Sequence, residues 1–156
     1  MALTARVSTI LNEPAVVKLL DSATPARLAY TAQDGAPRVQ PIWFLWNGTH
    51  FIMNTGPDTA KAKAMWRDPR VAFTIDTDAG PYLSLQIRGL ASLEVVSGVA
   101  EEYELMAARY YGEELGARWI KSVLARRSES ARITIEPTWA FFMDMRSAFS
   151  GVFGTQ

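Results

Sequence analysis

Between Arg27 and Asn54 three short apolar runs are separated by Asp34-Gly35 and Asn47-Gly48, dipeptides that favour tight reversals. The runs are Arg27 to Thr31 (RLAYT), Arg38 to Trp46 (RVQPIWFLW) and His50 to Asn54. Parallel strands need a crossover of a dozen or more residues, so runs joined this closely must pair antiparallel. Many short strands with tight turns favour a barrel over a layered parallel sheet.

The rest of the chain supplies more strands and the helices to pack on them. Asn12 or Glu13 followed by Pro14 starts a helix whose apolar side is Val16, Val17, Leu19 and Leu20, and Asp21-Ser22 ends it. A second helix is expected around residues 58–67, stopped by Asp68-Pro69, because proline disfavours helical geometry in the residue before it. Val71 to Asp76 reads as a fourth strand. Tyr82 to Val96 is long enough for a bent fifth strand, with Gly89 marking a bulge or a close backbone approach. From Val99 to Arg126 the pattern is helical: Val99, Tyr103, Met106 and Tyr110 share one face and, after Gly112, Leu115, Trp119, Ile120 and Val123 share another. Residues 131–145 return to strand character, with Pro137 at a bend or edge. The expected fold is mainly β with packing helices, one domain over residues 1–156, a length that buries roughly two thirds of its unfolded surface.

One strand breaks the usual alternation. RVQPIWFLW is apolar on both faces for most of its length, so something is expected to cover its second face: a cofactor ring, a partner subunit, or both. Pro41 sits mid-strand and has no N–H to donate, which interrupts the pairing there.

Composition narrows the chemistry. Without cysteine there is no disulfide, no thiolate nucleophile and no zinc–thiolate site, in keeping with a reducing cytoplasm. Basic and acidic residues balance at 16 each, so no overall field draws the protein to nucleic acid or to an acidic membrane. No run reaches the roughly 18–20 apolar residues that span a bilayer, and the expectation is a soluble intracellular protein. His50 is the one histidine, which leaves no Ser-His-Asp set and no multi-histidine metal site. It follows a turn and reads as a surface residue there. An enzyme with so few reactive side chains would take its reactive atoms from a bound cofactor.

The stretch NTGPDTAKAKAMWRDPRV, residues 54–71, is where such a cofactor can be held. A helix start leaves N–H groups unpaired and carries partial positive charge, so an anion such as phosphate gains hydrogen bonds and a favourable dipole together. Thr55 and Thr59 add hydroxyls, and Lys61 adds full charge. Lys61 and Lys63 point apart, whereas Lys63 and Arg67 lie four apart on one face. The competing reading is an ordinary cap from Asp58 or Thr55 beside a solvated basic face.

The order of these pieces resembles the pyridoxamine phosphate oxidase-like, FMN-binding split-barrel superfamily: RVQPIWF, an Asn-Gly hairpin, a strand ending in NT, then TAKAKAMWRDPRVAF. The likeness runs over about residues 26–95 and more loosely through the C-terminal strands. It implies a split β-barrel, a homodimer, and FMN bound at the dimer interface. It also implies that the strand Arg38, Val39, Gln40, Pro41, Ile42 and Trp43 lies along the cofactor ring, largely through backbone, with Arg38 as its basic opening residue. Asn54 and Thr55 would touch the cofactor, Thr59 and Lys61 would hold its phosphate, and Ser84 would stand near the ring. The oxidase proper has two adjacent bases where this chain has Ala60-Lys61, leaving one phosphate ligand to Lys63, Arg67 or the second subunit. Its C-terminal Arg-His substrate motif is also absent, which argues against vitamin B6 oxidation.

The resemblance thus points to a flavin-dependent oxidoreductase acting on a small molecule, with no metal and no nucleic-acid partner. Two alternatives share the fold. A deazaflavin-dependent reductase would place an acidic cofactor tail on Lys61, Lys63, Arg67 and Arg70. A non-catalytic protein would store or sense flavin or haem. Ring contact from Trp43, Trp46 or Trp66 competes with their use as core or interface, and Arg146 either reaches a neighbouring site or belongs to the chain's tail.

Overall fold

The tight reversals form where Gly35 and Gly48 adopt φ of 83° and 95°, a region closed to most side chains. A computed structural model describes residues 3–153. Its order is α1 (Ala5–Leu11), α2 (Pro14–Leu20), β1 (Ala26–Thr31), β2 (Pro37–Ile42), β3 (Leu45–Trp46), β4 (Phe51–Thr55), α3 (Ala60–Arg67) and β5 (Arg70–Asp76). Then come β6 (Leu83–Ser97), α4 (Glu101–Tyr111), α5 (Glu113–Leu124), β7 (Glu129–Asp144), α6 (Met145–Ala148) and α7 (Ser150–Phe153). Residues 1, 2 and 154–156 of the domain expected over 1–156 lie outside the described residues. No helix among the described residues is long and apolar enough to cross a membrane.

All strand pairs are antiparallel, in the order β2-β1-β5-β6-β7-β4-β3. The two edge strands are β2 and β3, yet only Trp43 and Phe44 separate them in sequence. Three Cα steps span at most about 11 Å, whereas the edges of a flat seven-stranded sheet would stand about 29 Å apart. The sheet therefore curls until its edges meet, a barrel with an unpaired seam. The single strand expected over Arg38–Trp46 is two strands for this reason: the chain crosses the seam at Trp43-Phe44. Pro41 is accommodated because β2 is an edge.

The expectation that this run is apolar on both buried faces needs correction. Arg38, Val39 and Pro41 are exposed, Gln40 is half-buried, and burial begins at Ile42 and Phe44. Along β6 and β7 the register shifts between Arg88 and Gly89, the bulge anticipated at Gly89. A Cβ on Gly89 would lie 2.6 Å from the Glu136 carbonyl oxygen, so the strands can bend together only with glycine there.

The barrel interior is filled by Leu28, Phe44, Phe51, Met53, Phe73, Ile75, Leu85, Ile87 and Ile133, with Met65 of α3 packed among them. Each such side chain contributes about 1.5–3 kcal/mol on burial. A smaller cluster, Ile52, Tyr103, Met106, Ala107 and Ile120, lies between β4 and the α4–α5 pair. Every residue of β4 is buried because the barrel covers one face and these helices the other. Gly112, with φ 81°, separates α4 from α5. Leu115, expected on the packing face of α5, is 55% exposed; the helices approach instead through Gly116, where a Cβ would meet Ala107 backbone at 2.7 Å. The short α1 was not foreseen. Its Val, Thr and Ile lower helix propensity, and it forms because Thr4 caps it and Val7 and Leu11 are buried.

Candidate functional site

Strand β4 delivers Asn54 and Thr55 to a turn, Gly56-Pro57-Asp58, and Thr59 opens α3. The Thr59 backbone is extended and its Oγ1 accepts from the Ala62 N–H at 3.3 Å, a side-chain cap. The same hydroxyl donates to the Gly56 carbonyl at 2.8 Å and lies 3.2 Å from Thr55 Oγ1. The Ala60 and Lys61 N–H groups have no acceptor among the described residues, and the first turn of α3 carries no acidic residue. The helix thus begins with two open amides and two threonine hydroxyls side by side.

Lys61 is half-buried, and its pKa is lowered first by that burial and then by the charge of Arg127. Arg127 comes from the α5–β7 connection. A Cβ on Gly56 would lie 3.0 Å from its Nη1, so the guanidinium rests against the turn. Its Nε is out of solvent without an acceptor. Neither Lys61 nor Arg127 has a carboxylate partner among the described residues. A cavity of about 450 Å³ lies against this turn, lined by Gly56, Pro57, Asp58, Thr59, Arg127, Ser128 and Glu129. A second cleft of about 440 Å³ is lined by Tyr30, Ala32, Gln33, Asp34, Arg38 and Ala60. Because Thr59 lines one and Ala60 the other, the two clefts flank the start of α3.

Thr55 and Thr59 are therefore brought together with Lys61 in the turn that follows, and Arg38 lines the cleft on the other side of the same helix start. Asn54 is 8% exposed; its Nδ2 donates to Ser130 Oγ at 3.1 Å, and its Oδ1 is buried without a partner. On β2, the register with β1 places Arg38, Gln40 and Ile42 on the inward face with Tyr30, Leu28 and Ala26. Gln40 Nε2 donates to Tyr30 Oη at 3.3 Å. Val39 and Pro41 face outward, and through β1 and β5 the register puts Ser84 on that same outward face.

Four candidates left open by the sequence are placed by the fold. Lys63 is exposed, on the other side of the helix from Lys61. Arg67 donates to the Ala32 and Gln33 carbonyls at 2.6 and 2.7 Å, tying α3 to the β1–β2 turn, so it is not free to hold a phosphate. Arg70 forms a forked pair with Asp68, whose pKa falls to about 2, chiefly through that hydrogen bond. The Trp43 ring is packed by this chain's own helices, stacked on Tyr110 at 5.0 Å and contacting Tyr103, Tyr111 and Trp119. Only its backbone is left to line a cofactor. His50 is the turn residue expected, 2.9 Å from Thr49 Oγ1 through Nδ1. Arg146 is bonded to Asp144.

Arg127 is the residue that sequence reasoning missed. The only local signal is the Arg126-Arg127 pair after a helix, and nothing short of the fold brings it beside Gly56. No group of three or more metal-ligating side chains occurs among the described residues.

The family model for pyridoxamine 5′-phosphate oxidase matches residues 13–144. No curated protein matches the sequence. Among solved structures, an F420 reductase is 24% identical with a TM-score of 0.62, over 80% of this chain and 94% of the other. A conserved hypothetical protein from Mycobacterium tuberculosis is 20% identical with a TM-score of 0.67, over 88% and 87%. The haem-storage protein HutZ from Vibrio cholerae is 16% identical with a TM-score of 0.62, over 83% and 92%. These likenesses are to the fold.

Proposed function

The chain belongs to the pyridoxamine 5′-phosphate oxidase family, and we propose that it is an FMN-dependent oxidoreductase whose cofactor phosphate docks at the start of α3. The observation that carries this reading is the half-buried Lys61 beside Arg127 with no carboxylate to balance them, next to two open amides and the Thr55–Thr59 hydroxyl pair. Like charges held partly out of water are costly, and a phosphate relieves the cost while accepting from the two open amides. An ordinary capped helix with a solvated basic face would have Lys61 in water.

The bound flavin ring would supply hydride transfer to or from a small molecule. The chain's own part is to bind and orient. The Lys61 ammonium and the Ala60 and Lys61 amides would hold the phosphate, joined by Thr59 once its hydroxyl turns from the Gly56 carbonyl, and the edge strand Arg38–Trp43 would take the ring along its backbone, near Asn54 and Thr55. Ser84 would meet it from the outward face of β6. Lys63 stays outside this set.

FMN is favoured over a deazaflavin with an acidic tail because two of the four cations expected to carry that tail are committed. Arg67 holds the Ala32 and Gln33 carbonyls, and Arg70 holds Asp68. A non-catalytic haem protein would need an axial ligand, and His50 is engaged with Thr49 in a hairpin turn.

The same reading makes the active form a cytoplasmic homodimer. Support comes from the outward sheet face, where Val39 is 68%, Phe141 40% and Met143 36% exposed. Such apolar side chains are commonly covered by a partner.

Titration with FMN and riboflavin, followed by flavin fluorescence, tests the phosphate assignment. Lys61→Ala should weaken FMN by roughly ten- to hundredfold, the worth of a charge-assisted hydrogen bond, and leave riboflavin nearly unchanged. Equal loss for both ligands would contradict it.

A further inference from the structure

We infer that Arg127 is the second cation of the phosphate cradle, filling the role that Ala60 leaves open, and that it fits the cradle to a terminal phosphate monoester. This rests on the phosphate reading of the α3 start given above.

The alternatives within the chain are removed by their own bonds. Arg67 is spent on two carbonyls and Lys63 stands in solvent. Arg127 is held in place from three sides. Its N–H bonds the Val123 carbonyl at 3.2 Å, the adjoining Ser128 carbonyl accepts from Gly98 N–H at 2.6 Å, and Ser130 is tied to Asn54. The guanidinium this segment carries lies on Gly56, where any larger residue would press on Nη1 at 3.0 Å.

That placement makes no sense as a structural ion pair. A guanidinium whose Nε is buried without an acceptor sits close enough to Lys61 to disfavour its charged form, and neither cation is ion-paired among the described residues. An anion would balance the two charges. A guanidinium fork presents paired N–H donors to phosphate oxygens, whereas the ammonium acts as a point charge, so the two cations match a dianion better than either alone.

The cavity border sets the second part. Asp58 and Glu129 line the same cavity, are exposed, and pair with neither cation. A ligand that ends in its phosphate brings no further charge past them. One that continues outward through a second anion meets both carboxylates.

The test compares wild type, Lys61→Ala, Arg127→Ala and Arg127→Lys, each titrated with FMN, riboflavin and FAD and each melted with and without inorganic phosphate. Arg127→Ala should lose roughly ten- to hundredfold in FMN affinity with riboflavin unchanged, and Arg127→Lys should recover part of it. Without phosphate, Arg127→Ala should melt no lower than wild type, since it relieves repulsion; a merely structural arginine would lower the melting temperature. FAD should bind wild type more weakly than FMN. If Lys61→Ala loses FMN while both Arg127 variants bind it like wild type, the role of Arg127 is overturned and the phosphate reading stands. FAD binding as tight as FMN overturns the terminal-monoester part. If wild type responds to neither FMN nor inorganic phosphate, both readings fall.

Discussion

Asn54 Nδ2 donates to Ser130 Oγ at 3.1 Å, between side chains that are 8% and 0% exposed. The bond joins the end of β4, which carries Thr55, to the start of β7, just past the connection that carries Arg127. Asn54→Ala strands the Ser130 hydroxyl in the interior, so unfolding in urea should show a loss of about 1–3 kcal/mol. FMN affinity should fall with it because Thr55 and Arg127 lose their common anchor. An unchanged urea midpoint would show that the bond holds nothing.

Lys61 makes stability depend on pH in an unusual direction. Its folded pKa lies below 10.5, so between the folded value and 10.5 the unfolded chain binds the extra proton. Stability from this residue therefore rises as pH rises through that window. Urea unfolding of the ligand-free protein at increasing alkaline pH should show a rise that Lys61→Met abolishes. Saturating FMN should flatten it, since a bound phosphate favours the charged lysine.

The acid limb has the same sign: stability again falls as pH falls. Arg132 bonds Glu102 through Nε and Nη2 and lowers its pKa. The pair contributes its stability above the ordinary carboxyl pKa and loses it as pH falls through the depressed folded value. Glu102→Gln should be less stable than wild type at neutral pH, and the two should converge as acid protonates Glu102. A constant difference down the acid limb would refute the assignment.

Dimer formation through the outward sheet face can be read by sedimentation. Val39 is 68% exposed on an edge strand that runs beside the proposed ring site. Val39→Asp places a charge there without touching the core, and it should shift the protein toward monomer at micromolar concentration. A wild-type protein that sediments as a monomer would contradict the dimer outright.

Much of this architecture was legible because local chemistry dictated it. Asp34-Gly35, Asn47-Gly48, Pro14, Gly89, Gly112 and Asp68-Pro69 act on their immediate neighbours, and each forms the turn, helix start, bulge or stop that its residue type demands. What the sequence misplaced or left open shares a cause in distance. Arg38–Trp46 looks like one strand until the sheet curls and its two ends become opposite edges. Trp43 looks available to a ring until α4 and α5 fold back over it. Arg67 looks like a phosphate ligand until the β1–β2 turn comes within reach. For the site, the grouping of Thr55, Thr59 and Lys61 followed from a helix start, whereas Arg127 arrives from the far side of two helices and had no signature of its own.

The most direct measurement is the position of the phosphorus atom of bound FMN in a crystal structure of the complex. It should sit at the start of α3, within hydrogen-bonding reach of the Thr59 hydroxyl, the Ala60 and Lys61 amides and the Lys61 ammonium. FMN bound with its phosphate elsewhere, and that helix start left to solvent, would contradict it.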